Sequence, residues 1–172
     1  MARGIFILAV VTLFVHVLTV ESDELNFLEE DVCTSPSFIL SPEKWPTWYV
    51  VMGSDVKGQL HGSHKSTHLG EHNKFHFERI NANEPYFYIT SKRWKEWYVY
   101  MTDTPQGLIQ STKTKPGMEG QWMIQKVSEG VYALFPKKWP NWHMCMKNDY
   151  VGTMYGCKDA VGPEGRFIID KN

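Results

Sequence analysis

One nine-residue word is written three times in this chain: "KWPTWYVVM" (44–52), "RWKEWYVYM" (93–101) and "KWPNWHMCM" (138–146). Its first tryptophan recurs at Trp45, Trp94 and Trp139, at intervals of 49 and 45 residues, and thirteen residues later comes a glycine: Gly58, Gly107 or Gly152. Farther on lie "GEHNKF" (70–75), "GMEGQW" (117–122) and "GPEGRF" (162–167); ahead of each word lie "FIL" (38–40), "FYI" (87–89) and "YAL" (132–134). Self-similarity at such a period means stacked or ring-closed copies of one supersecondary unit, none of which buries its apolar face alone.

The unit is made of strands. Trp48-x-Val50-x-Met52, Trp97-x-Val99-x-Met101 and Trp142-x-Met144-x-Met146 are apolar at every second position, with Tyr49, Tyr98 and His143 between them. Phe75/Phe77, Trp122/Ile124 and Phe167/Ile169 alternate likewise. Period two is the pattern of a strand with one face inward, and the Pro and Gly punctuation leaves no window for a substantial helix. The expectation is one all-β domain over 37–172: twelve short strands in three pseudo-symmetric four-stranded repeats, about 37–81, 86–128 and 131–172.

In repeat number, repeat length and strand pattern, the chain from Ser37 to Asp170 resembles the β-trefoil superfamily, without matching any one of its families. The resemblance implies a six-stranded barrel capped by three hairpins, and a binding module as the general role. Ricin-type trefoil lectins carry Gln-x-Trp in the last strand of each repeat. Here only Gln121-Trp122 is similar, the two residues are adjacent, and Lys74-Phe75 and Arg166-Phe167 hold the sister positions. That departure argues against a ricin-type sugar site.

The ends of the chain speak to compartment. Arg3, an apolar run from Ile5 to Val20 and the small Ser22 read as a signal peptide (1–22), too short for the ~20 apolar residues of a membrane span. The lead 23–36 opens with five acids and no base over 23–32, whereas 33–172 holds 17 bases against 13 acids, too mild a surplus to argue for nucleic acid. No later segment is apolar enough to span a bilayer. Hydrophobic residues at 42% and aromatics at 14% argue against disorder. On the repeat map Cys145 and Cys157 fall at facing positions near the base of a hairpin, so they are expected to form a disulfide. Cys33 is then free, or links two chains as a dimer.

"QLHGSHKSTHLGEHNKFH" (59–76) holds five of the seven histidines. His64, His68, His72 and His76 fall four apart, as on a helical face, but repeat alignment makes the segment strand, loop and strand. His76 then faces outward between inward Phe75 and Phe77. His61, His64, His68 and His72 form a weak zinc or copper candidate, since neutral imidazole suits either ion. The competing reading is a solvated polar loop.

The second tryptophan of each word (Trp48, Trp97, Trp142) has inward parity and is expected in the core. The first (Trp45, Trp94, Trp139) has an undecided face and follows a base: Lys44, Arg93 or Lys138. An indole exposed beside a base can stack on a sugar ring while the cation holds an anionic group; a buried indole would plug the barrel mouth. No nucleophile–base–orienter set is evident, so an enzyme is not expected. The leading expectation is a secreted binding protein for an extracellular glycan or cell-surface receptor. The alternatives are a matrix or metal-associated structural protein using the histidine loop, and a protease inhibitor.

Overall fold

The period-two runs become strands where the sequence places them. A computed structural model describes residues 37–53, 58–65 and 69–172; the expected leader 1–22, the acidic lead 23–36, Cys33 and His68 lie outside the described residues. The strands are β1 (Phe38–Pro42), β2 (Trp48–Met52), β3 (Leu60–His64), β4 (Phe75–Arg79), β5 (Tyr86–Ser91), β6 (Tyr98–Met101), β7 (Ile109–Thr112), β8 (Gln121–Ser128), β9 (Val131–Pro136), β10 (His143–Met146), β11 (Met154–Cys157) and β12 (Phe167–Lys171). Short 3-10 turns at Met118–Gly120 and Pro163–Gly165 precede β8 and β12.

Six strands close a ring. β1 pairs with β12, β12 with β9, β9 with β8, β8 with β5, β5 with β4, and β4 with β1, all antiparallel. Closure leaves the barrel without an open edge. The pairing is shortest between β1 and β4, which share the single pair Phe38–Phe75. The other six strands form the hairpins β2–β3, β6–β7 and β10–β11. Strands β3, β7 and β11 lie against one another. Among the described residues no helix is long and apolar enough to cross a membrane.

The core repeats in triplets contributed by corresponding strands. Leu40, Ile89 and Leu134, then Val50, Val99 and Met144, then Phe75, Trp122 and Phe167 are all at most 2% exposed. His76 sits half-buried between fully buried Phe75 and Phe77, the expected outward parity. Trp122 shows why a core aromatic wants a partner: its indole Nε1 donates to the Val99 carbonyl at 3.0 Å. Trp122, of the Gln121-Trp122 pair that is similar to the ricin-type motif, is buried core.

Candidate functional site

Each tryptophan word folds into a corner because its two indoles bracket a β-turn. Backbone bonds run from Trp48 N to Trp45 O (2.9 Å), Trp97 N to Trp94 O (3.2 Å) and Trp142 N to Trp139 O (2.9 Å). Pro46 and Pro140 occupy the position after the first indole, where a fixed φ suits such a turn. The second copy lacks that proline and has Glu96 at φ 68° instead. A turn of this kind brings its first and fourth residues together, so both indoles border the same patch.

The second tryptophans are half-buried rather than core. Inward parity is satisfied, but each ring lies on glycine backbone at the edge of the cap. A Cβ on Gly62 would sit 2.8 Å from the Trp48 ring, one on Gly58 2.8 Å from Trp97, and one on Gly107 or Gly156 2.9 or 2.6 Å from Trp142. Gly58 and Gly107 belong to the preceding sequence copy, so Trp97 and Trp142 stitch one copy to the last. These glycines are needed twice over, since Gly58 and Gly107 also adopt φ of +54° and +57°. Cations cover the rings: Lys113 Nζ lies 5.5 Å from the Trp97 centroid and Lys158 Nζ 4.5 Å from that of Trp142. The first copy has His64 at the corresponding position, edge-on to Trp48 at 6.1 Å.

All three first tryptophans are half-buried. Lys44 and Lys138 lie over Trp45 and Trp139, at 5.1 and 4.6 Å from the ring centroids. Trp94 has the edge of His72 at 4.8 Å, and Arg93 beside it is exposed. Two clefts open at these corners. One, of about 180 Å³, lies between Trp45 and Trp48 of the first copy and the third hairpin's loop, with Lys147, Asn148, Asp149 and Gly152 on its wall and Met146 in its lining. The other, of about 30 Å³, lies between Trp139 and Trp142 and the second hairpin's loop, Thr102–Thr104 and Gly107. At the remaining corner Gly58 of the first hairpin lies against Trp97, and residues 54–57 lie outside the described set.

Charge is arranged differently at the two. Lys138 reaches across to Asp103 at 3.5 Å, while Lys44 turns away to Glu164 at 3.6 Å. Asp149 in the larger cleft anchors its own loop: its Oδ1 accepts from the Thr153 amide at 2.9 Å. That amide, helped by those of Gly152 and by Lys147, holds the carboxyl below its usual range, so it is ionised and fixed in place. The sequence reading missed this wall; its only signal was a polar, Asp-bearing loop ahead of Gly152.

The histidine segment is strand, loop and strand, as the repeat alignment expects, although His64 ends β3 rather than lying in the loop. His61 and His64 point to opposite faces of β3, since they are three residues apart in a strand. His61 Nδ1 donates to the Gln59 carbonyl at 3.4 Å, and His64 and His72 pack on tryptophans. Among the described residues the one group of three potential ligands is His143, Cys145 and Cys157, and the two sulfurs form the expected disulfide. His143 was expected between the inward positions, yet it is 2% exposed. The turn Pro163–Gly165 covers it: a Cβ on Gly165 would lie 2.4 Å from its ring. Burial pushes the imidazole pKa down, opposed by Glu164 and Asp159.

No family model matches this chain, and no curated protein matches it. Solved structures do. The designed three-fold symmetric protein ThreeFoil superposes with a TM-score of 0.66 at 8% identity, over 77% of this chain and 96% of that one. A ricin B-like lectin from Macrolepiota procera, in complex with lactose, gives 0.62 at 14% identity, over 79% and 95%. The fold is a β-trefoil. A mosquitocidal holotoxin gives 0.69 at 12% identity over 79% of this chain and only 17% of the toxin's length. At such identities the likeness extends to the trefoil fold and no further.

Proposed function

We propose that this trefoil is a secreted, non-enzymatic glycan-binding protein whose three pseudo-symmetric four-stranded copies create sugar sites at their seams, the cleft at Trp45 and Trp48 being the principal one. The observation that carries this reading is chemical. An aromatic wall faces a rigid loop offering an ionised carboxylate, an amide and an ammonium within one concave space of about 180 Å³. A pyranose ring has an apolar face of C–H groups and an edge of hydroxyls, and such a pair of walls meets both. The lactose-bound ricin B-like lectin with the same fold lends general support, although the ricin-type Gln-x-Trp pattern is not reproduced in this chain.

Asp149 is pre-organised to accept sugar hydroxyls because backbone amides already fix it, so little ordering entropy is lost on binding. The smaller cleft is bridged by Lys138 and Asp103 and is not the main site. Calorimetry against the best ligand from a glycan array tests the assignment. Trp45→Ala is expected to weaken binding by at least about tenfold, in the upper range of an aromatic contact, and Trp139→Ala to leave it within about twofold. Binding that survives Trp45→Ala unchanged overturns the proposal.

A further inference from the structure

Tyr150 is 97% exposed and its neighbour Val151 50%. Large apolar side chains at a loop tip are commonly mobile bystanders, but this loop is tied down. Lys147 N donates to Thr153 O at 2.9 Å, Gly152 N to Asp149 O at 3.2 Å, and Thr153 N to the Asp149 carboxylate at 2.9 Å. From the first copy, Gly62 N donates to the carbonyls of Val151 (3.1 Å) and Gly152 (2.8 Å). The phenol therefore stands on a braced turn while making no contribution to the core. Its chain neighbours Asp149 and Gly152 line the larger cleft. The corresponding loop of the second copy reads "DTPQG" and has no aromatic residue.

Size sets what the cleft can take. A cleft of about 180 Å³ is on the scale of one hexose ring and not of a chain of them. A longer ligand must leave the cleft over its rim, and the third hairpin's tip is part of that rim. We infer that Tyr150 is a second aromatic platform, so that the site recognises an oligosaccharide of two or more rings: one between Trp45 and Asp149, the next on the Tyr150 ring. This rests on the glycan-binding reading and adds the size class of the ligand and a residue that sets it. Stacking on a tyrosine face needs no charge on the sugar and tolerates several ring types, so Tyr150 selects length rather than identity.

The test is calorimetry on the full chain, with galactose and lactose, N-acetylglucosamine and its β1,4-linked trimer, and glucose and maltotriose. For at least one pair the wild type is expected to bind the longer sugar about tenfold more tightly. Tyr150→Ala should remove that advantage and leave the monosaccharide affinity unchanged, while Tyr150→Phe, which keeps the ring, should retain it. Trp45→Ala should weaken both members of the pair. If Trp45-dependent binding persists but Tyr150→Ala leaves the ratio of long to short unchanged, the platform is overturned and glycan binding stands. If none of the six sugars binds, both fall.

Discussion

The cleft at Trp45/Trp48 and the cleft at Trp139/Trp142 use the same word of sequence, yet the first encloses about 180 Å³ and the second about 30 Å³. At the smaller one Trp142 is pinched between Gly107 and Gly156, Lys158 lies on its ring, and Lys138 spans the seam to Asp103. At the larger one Trp48 lies against Gly62, and Lys44 is drawn off to Glu164. One lysine position, paired across the seam or away from it, accompanies a filled seam in one place and an open one in the other. Near-identical local sequence can thus serve as mortar or as a receptacle, depending on what the opposing loop supplies.

The largest effect that would sharpen this contrast is on stability. Trp142→Ala should cost about 3 kcal/mol, the low end for a large aromatic because the ring is only half-buried, and Trp48→Ala about half of that. Urea denaturation of the two variants checks the ranking, and equal costs would mean the seams are packed alike.

A smaller effect concerns the hairpins that carry the two loops. The hairpin bearing the open wall begins its first strand at His143, whereas Tyr98 holds the corresponding place in the closed one. Burial keeps His143 neutral when folded, while the unfolded chain takes up its proton near pH 6.5. The contribution of neutral His143 is therefore fully present above about pH 6.5 and lost as pH falls through the lower folded value. Between pH 7.5 and 5 the wild type should lose more stability than His143→Phe, measured by urea midpoint. Equal losses would assign the pH response to other groups.

The smallest energetic effect breaks the comparison outright. Asp103→Ala removes an exposed ion pair and should change stability by under about 0.5 kcal/mol. Freed of its partner, Lys138 no longer bridges the seam, and titration with the preferred sugar should show a second, weaker binding event that Trp139→Ala abolishes. A one-site isotherm in Asp103→Ala would mean that the loop backbone, not the ion pair, fills the smaller cleft.

Much of the fold was legible because period two and the repeated glycine act locally. Trp122, Phe75 and Phe167 announce their burial by alternation alone, and the Cys145–Cys157 pair followed from aligning hairpins. The half-exposure of Trp48, Trp97 and Trp142 was not legible. Strand parity fixes which way a side chain points but not whether backbone, side chain or water meets it there. His143 failed for the same reason, since its cover comes from Gly165, a residue that gives no hydrophobic signal. The ring-covering position filled by His64, Lys113 and Lys158 could have been found by extending the repeat alignment, and it explains one histidine better than a metal does. Asp149 could not, because its value depends on Trp45 lying opposite, more than a hundred residues away in sequence.

The open cleft takes one wall from the beginning of the domain and the other from near its end. Neither third of the trefoil owns a receptor by itself, so occupancy can register only once the ring has shut. A sugar held there would act as a clasp between the turn that follows β1 and the loop of the β10–β11 hairpin. If the cleft is a sugar site, recognising a ligand and completing the protein's own architecture are one event.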